Sequence, residues 1–238
     1  MNNTINHIHL EACPSTQLKL KNEFDSLTSK NANILISTQN QTAGIGRRGN
    51  HWQSLGNNLA FSFTLGPSAT PTLTPLEIAV ATVNFMQQNF KINLKVKWPN
   101  DILQGDNKKC GGIIINLINN IAIVGIGLNM GHITKPNSLA YPVASILDKK
   151  KLSKLDFQEI PLQIYNYILN KRLNEEDIQN KWSQLCAHMD RPVKIIDDNR
   201  EYIGHFVGIG EKGEAILKLN DQSLQKFYSG SLFIDDCP

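Results

Sequence analysis

Four stretches of the sequence combine residue types that can do chemistry. Thr42 to Trp52 reads TAGIGRRGNHW. Glycines at 44, 46 and 49 let the backbone approach a ligand and turn its N–H groups toward an anion. Arg47 and Arg48 add forked cations suited to phosphate or carboxylate, and Trp52 offers a flat face. The stretch lacks the Gly-Lys-Ser/Thr ending of a P-loop, and no helical pattern follows it as a dinucleotide fingerprint requires. Lys95 to Asp101, KVKWPND, ends a strand at Trp98 and turns at Pro99. That leaves Asp101 at a strand exit, where it can hold Mg²⁺ or orient an attacking amine. Lys108 to Gly112, KKCGG, puts a lysine at the mouth of an apolar strand, a point charge for a phosphoryl oxygen or carboxylate. Gly125 to Met130, GIGLNM, thins a strand at Gly125 and Gly127 and places the amide of Asn129 at its exit. Read singly, each has a plain structural alternative: a solvated loop, an Asx-capped turn, a lysine-rich turn, a close-packed strand.

The elements that must position these residues follow from periodicity. Ser15 or Thr16 caps a helix running to about Leu27, and Asn33 to Thr38 is a buried strand. Gln39 to Asn58 is almost free of apolar residues and reads as a polar loop of about twenty residues, long enough to be functional. Leu59 to Leu65 alternates as a strand. Pro75 starts an amphipathic helix that reaches about Asn89. Leu94 to Trp98 is strand-like. Ile113 to Leu117 and Ile121 to Ile126 flank Asn119-Asn120 as a hairpin. Helices follow near Asp156 to Leu173, with Pro161 in the first turns, and near Glu175 to His188. Beyond Met189, five short strands with tight turns read as a small β-barrel. The expected domains are therefore 1–188 and 189–238.

Composition bounds the rest. The chain has 238 residues, 41% hydrophobic and 19% charged, with a net charge of +3. It can bury a full core and lacks the footprint of a nonspecific nucleic-acid binder. Gly111 to Met130 is apolar on average but is interrupted by four asparagines, so it is not a spanning helix. MNNTINHIHLEACPS has no signal-peptide pattern. Cys13, Cys110, Cys186 and Cys237 form no CxxC pair, which fits reduced thiols in the cytoplasm. The six histidines show no metal spacing, although His7 and His9 share one face of a first strand. No helix-turn-helix candidate is present.

In this order and at these spacings the motifs resemble the catalytic and C-terminal domains of biotin protein ligases. The resemblance runs from about Leu10 to Leu232. It includes Ser15-Thr16, the Gly/Arg loop, KWPND, KKCGG, GIGLNM and Arg191-Pro192-Val193, and it is to the short form without an N-terminal winged-helix domain. It implies an α+β fold with a class II synthetase-like mixed sheet and flanking helices, plus a Src-homology-3-like barrel. It also implies two reactions: biotin and MgATP give biotinyl-5′-AMP, and a lysine of the biotin carboxyl carrier domain of acetyl-CoA carboxylase then takes the biotin. Catalysis there is positioning and charge stabilisation, without an enzyme nucleophile.

Carried onto this sequence, the resemblance makes Ser15, Thr16 and Gln41 partners of the ureido group of biotin. Strands around Ile113 and Ile126 would wall its apolar part. Gly44 and Arg47 belong to a closing loop. Lys109 bridges carboxylate and α-phosphate, while Gly112 and Gly125 allow close approach. Arg48, Trp52, Lys97 and Asn129 serve the adenylate. Asp101 serves either the metal or the acceptor lysine. Lys109, Arg47 and Asp101 are the catalytic candidates. The family loop usually carries arginines where this chain has Ile45 and Asn50, so the intermediate is expected to be held less tightly. A lipoate or octanoate ligase and a non-catalytic biotin-sensing module are the alternatives. No DNA or membrane partner is expected, and the chain would be a monomer or homodimer.

Overall fold

The computed structural model describes residues 4–28, 33–133, 142–147 and 152–234. The elements in chain order are β1 (Asn6–Cys13), α1 (Thr16–Asn22), α2 (Phe24–Thr28), β2 (Ile34–Gln41), β3 (Gly44–Ile45), β4 (His51–Trp52) and β5 (Gly56–Leu65). Then come α3 (Thr74–Phe90), β6 (Lys95–Lys97), β7 (Asp101–Gln104), β8 (Lys108–Ile118), β9 (Ile121–Ile133), α4 (Asp156–Asn170) and α5 (Glu175–Leu185). The last strands are β10 (Pro192–Asp197), β11 (Arg200–Ile209), β12 (Ala215–Leu219), β13 (Leu224–Phe227) and β14 (Ser231–Phe233). Contacts group the chain into two compact units, residues 1–67 with 108–171, and residues 68–107 with 172–238.

The first unit carries the strand order β1-β2-β5-β9-β8. β1 runs parallel to β2, while the other neighbours are antiparallel, so the sheet is mixed. Side chains alternate across each strand. In β5 this puts Leu59, Phe61, Phe63 and Leu65 on one face and Asn58, Ala60, Ser62 and Thr64 on the other, all buried. The polar face lies beside Ile34, Ile36 and Ile123, where Leu20 of α1 and Phe24 of α2 pack. On the aromatic face Tyr165 of α4 stacks on Phe63 with ring centroids 4.5 Å apart. The Tyr165 hydroxyl donates to the Thr64 carbonyl at 2.6 Å. Helices thus cover both faces of the sheet, which is why β5 is buried on both sides.

β8 and β9 form the expected hairpin. Asn119 and Asn120 turn it with φ of 48° and 60°, the left-handed pair that a two-residue hairpin loop needs. Among the described residues no helix is long and apolar enough to cross a membrane.

In the second unit β6 and β7 pair antiparallel, and α3 packs against α5, β6 and β7. The buried Glu77 of α3 accepts from Arg172 Nε at 2.8 Å and Nη2 at 2.9 Å, from the Leu173 N–H at 2.9 Å and from Ser68 Oγ at 2.8 Å. Burial pushes this carboxyl up, but the Arg172, Leu173 and Ser68 hydrogen bonds outweigh it and hold the group below its usual range. The C-terminal strands form an antiparallel sheet in the order β13-β12-β11-β10-β14.

The structure departs from the periodicity reading in four places. The helix from Ser15 to Leu27 is two short helices meeting at Glu23; the buried stripe from Leu20 to Phe24 keeps helical spacing through the break, so periodicity hides it. Gln39 to Asn58 is not a plain loop. β2 continues to Gln41, β5 starts at Gly56, and between them β3 and β4 form a small hairpin pairing Gly44 with Trp52 and Ile45 with His51. β7 is an additional strand whose only apolar signal is Ile102-Leu103. Finally, α5 stops at Leu185 because the Ala187 N–H goes to the Val96 carbonyl at 3.0 Å, and α4 stops at Asn170, before Arg172 and Leu173 engage Glu77.

Candidate functional site

The site is built on the polar face of the first unit's sheet. At one end Ser15 caps α1, its side chain accepting from the Leu18 N–H at 3.4 Å. The cap leaves the Thr16 N–H and hydroxyl free to reach Gln41 Oε1, at 3.0 and 3.3 Å. Thr16 Oγ1 also lies 2.9 Å from Ser62 Oγ. All four side chains are buried. Gln41 ends β2 in register with Cys13 at the end of β1, so two strand ends and a helix start converge here. Gln17 is fixed by donation to Asn116 Oδ1 at 3.1 Å and the Ile123 carbonyl at 2.8 Å. Its Oε1 rests over Gly125, where a Cβ would come within 2.6 Å of it. Gly44 is equally constrained, because a Cβ there would lie 2.5 Å from both Gln41 Nε2 and the Trp52 carbonyl.

The β3–β4 hairpin delivers Trp52 onto the same face. A Cβ at Gly127 would fall 2.5 Å from Trp52 Cε2, and one at Gly112 would fall 3.3 Å from Cζ3. These are cross-strand partners of β8 and β9, so the indole lies on a floor made of two glycines. Lys109 Nζ sits 5.9 Å from the centre of that indole, within cation–π range. The Lys109 backbone is clamped on both sides, its N–H donating to the Pro142 carbonyl and its carbonyl accepting from the Ala144 N–H, each at 2.9 Å. Arg47 and Arg48 occupy the turn between β3 and β4, with Arg48 in the left-handed region at φ 53°. Asn50 closes that turn with its backbone, accepting from the Gly46 N–H at 2.7 Å and donating to the Arg47 carbonyl at 3.0 Å.

Farther along β9, Asn129 Nδ2 donates to the Ala144 carbonyl at 3.3 Å, and the buried Asn58 of β5 is its cross-strand partner. Among the described residues, Gln17 Oε1, Trp52 Nε1, Asn129 Oδ1 and both amide atoms of Asn58 are buried with no hydrogen-bond partner. Gly125, Gly127 and Asn129 follow at alternate positions, about 7 Å apart. The face therefore runs from a hydroxyl and amide end, past a cation on an aromatic ring, to a pair of amides.

Alternation decides which side chains of β8 and β9 face the site. Ile113 and Ile126 are register partners, one residue away from Gly112 and Gly127, and so they point to the face of Phe61 and Phe63. An apolar contact on the site face is made by Ile114, whose Cγ1 lies 3.0 Å from a Cβ position at Gly125. Conversely, Gln17, Asn58 and Ser62 were not singled out from sequence. The alternation Asn58-x-Ala60-x-Ser62-x-Thr64 against Leu59, Phe61, Phe63 and Leu65 was the available signal.

Lys97 and Asp101 belong to the second unit. They pair with each other at 3.2 Å, and Lys97 Nζ also donates to the Leu232 carbonyl at 3.1 Å. Trp98 beside them is buried, donating from Nε1 to the Gly213 carbonyl at 3.0 Å. Among the described residues no group of three or more His, Cys, Asp or Glu could hold a metal ion. Nor do the described cysteines offer an activated thiolate. Burial pushes the Cys13 thiol up and the Cys186 thiol to about 12; Cys110 is buried too, and Cys237 lies outside the described residues. A long ligand with polar ends and an anionic middle suits this face, and its chemistry would be positioning and charge stabilisation.

Comparison with known proteins agrees with the geometry. Residues 10–131 match the model of the biotin/lipoate A/B protein ligase family, and residues 188–234 match the biotin protein ligase C-terminal domain. The chain is 27% identical to the bifunctional ligase/repressor BirA of Escherichia coli, over 88% of this chain and 68% of that protein. To BirA of Bacillus subtilis it is 28% identical, over 94% and 73%. Its fold resembles that of biotin protein ligase from Aquifex aeolicus in complex with biotin and ATP, with a TM-score of 0.79, 24% identity, and 97% and 99% of the two chains covered. With the first match spanning half its length and the second its last strands, the chain belongs to the biotin/lipoate A/B protein ligase family.

Proposed function

We propose that this chain is a biotin protein ligase that activates biotin with MgATP and transfers it to a lysine of a biotin carboxyl carrier domain. The observation that carries the reading is the single sheet face that joins the Thr16–Gln41–Ser62 cluster to Lys109 and Trp52 across a glycine floor. A ureido ring offers two N–H donors and a carbonyl acceptor, and hydroxyls and amides at one end of that face match it. Ser15, Thr16, Gln41, Gly44, Gly112 and Gly125 are its biotin partners. Lys109 stabilises charge where the biotin carboxylate meets the α-phosphate, and Arg47, Arg48, Trp52, Lys97 and Asn129 serve the adenylate.

In the first step a carboxylate oxygen of biotin bonds to the α-phosphorus, and the bond to the pyrophosphate leaving oxygen breaks. In the second, the amine of the acceptor lysine bonds to the acyl carbon, AMP departs with the bonding pair, and the amine loses its proton. Magnesium enters as part of the MgATP substrate, held largely by phosphate oxygens and water. Asp101, already paired with Lys97, is the protein carboxylate for that ion or for the acceptor ammonium. Residues 1–188 form the catalytic domain and 189–238 the C-terminal domain, acting in the cytoplasm as a monomer or homodimer. The matched C-terminal model starting at residue 188 supports that boundary.

The test is pyrophosphate release from MgATP with biotin, lipoate or octanoate offered separately. Release with biotin alone supports the reading. Release only with lipoate or octanoate moves the chain to that branch of the family, and silence with all three favours a biotin-sensing module.

A further inference from the structure

We propose that His7 and His9 form a two-imidazole site for a divalent transition-metal ion of the zinc class. The site lies at the edge of the first unit's sheet, on the face opposite Trp52, and is independent of the ligase reading. β1 ends the strand order, and His7, His9 and Glu11 fall at alternate positions on one of its faces. Register pairs His9 with Ser37 and Ser37 with Phe61, so this face is the aromatic side of the sheet. His7 Nε2 and His9 Nδ1 each lie 2.8 Å from Ser37 Oγ. Two ring nitrogens of one strand therefore converge on a single point, at a hydroxyl of the next strand.

The chemistry follows from that convergence. A hydroxyl carries one proton, so it donates to one of the two nitrogens, and the other imidazole turns its own N–H toward Oγ. His9 Nε2 has no hydrogen-bond partner among the described residues, so the ring is held through Nδ1. Moving one ring proton to the far nitrogen aims two lone pairs at the same point. An ion with metal–nitrogen bonds of about 2.0–2.1 Å needs its two nitrogens about 3.4 Å apart in tetrahedral geometry. Small rotations of two half-buried rings reach that spacing. The ring centres are 6.3 Å apart and the planes inclined by 76°, so the rings do not stack and both lone pairs stay open. Imidazole selects zinc, copper or nickel over magnesium or calcium. Burial holds both histidines below their usual range, with His9 adding to the effect on His7 and Glu11 opposing it on His9. Both rings are then neutral at pH 7 and able to ligate. β2 brings no charged residue, while Glu11 adds negative charge near His9, which favours a cation. Water completes the coordination.

The experiment titrates Zn²⁺ into the untagged full chain, free of nucleotide, by calorimetry at neutral pH. Urea midpoints are measured with and without the ion. The wild type should bind one equivalent and unfold at higher urea when it is present, because an ion that binds only the folded chain stabilises it. His7→Gln and His9→Gln keep a side chain able to hydrogen-bond Ser37 but remove the imidazole. Each should lose both the equivalent and the midpoint shift. A control combining His51→Ala, His132→Ala, His205→Ala and Cys237→Ser removes the exposed imidazoles and a competing thiol, and should keep both. With Cu²⁺ in place of Zn²⁺, electron paramagnetic resonance of the wild type should show coupling to two imidazole nitrogens. Absence of binding or of that coupling in the wild type overturns the proposal without need of a variant. So does binding that survives in either folded glutamine variant or disappears in the folded control.

Discussion

Gly127→Ala is the sharpest probe of the site. In a strand of ordinary φ, replacing glycine by alanine stabilises by about 0.4–1 kcal/mol through the unfolded chain. Here the new Cβ would lie 2.5, 2.6 and 2.9 Å from Cε2, Cζ2 and Nε1 of Trp52. Carbon atoms rest at about 3.5–4.0 Å, so the indole must retreat by roughly 1 Å or more. Backbone pairing fixes Gly127 between Ala60 and Gly112, so the β3–β4 hairpin must give instead. The expected overpacking cost is about 1–3 kcal/mol. Displacing a positioning group by about 1 Å costs roughly 100-fold in rate. The assay pairs biotin-dependent pyrophosphate release with urea unfolding and tryptophan emission. Trp98 and Trp182 are buried in the second unit, so a changed emission reports Trp52. In a Trp52→Ala background the same substitution should be nearly neutral, giving a coupling of about 0.5–3 kcal/mol. Wild-type rate, stability and emission in Gly127→Ala would refute the contact and the role given to Trp52.

Other outcomes follow from the same geometry. Lys109→Ala should fold normally and lose about 10²–10³ in adenylation rate, as a preorganised charge contact does; unchanged pyrophosphate release would remove its assignment. Ile45→Arg, which restores a cation the family usually carries, should slow the release of biotinyl-AMP from the purified complex, and equal dissociation rates would count against the loop argument. Burial, then the charges of Lys97 and Arg191, push His188 down to about 3. The unfolded chain takes up this proton below about 6.5 whereas the folded chain does so only near 3. Stability should therefore fall as pH drops through that window, by about 2 kcal/mol between pH 7 and 5. Unfolding free energies from urea titration should differ by that amount between the two pH values in the wild type, and the His188→Gln variant should lack that change. Glu77→Ala leaves Arg172 and the Leu173 N–H without their buried acceptor, and should cost about 3–5 kcal/mol in the same unfolding assay.

Sequence alone determined the elements whose signal is local. The Asn119-Asn120 hairpin, the helix opened by Pro75 and capped Ser15 all follow from turn and cap chemistry, which a few neighbouring residues decide. The motif set likewise pointed to the family, because glycines and cations at fixed spacings are rare together. What only the tertiary structure decided is which face each residue serves. Strand side chains alternate with a period of two, so a shift of one position separates Gly112 and Gly127 from Ile113 and Ile126, and no local pattern says which pair lies under Trp52. The β3–β4 hairpin was hidden because its pairing is made by the backbone of a polar segment. Asn58 and Ser62 were hidden because their meaning comes from partners about 70 and 46 residues away. Proximity across such distances is fixed by strand register, and register is set by the burial of the whole sheet.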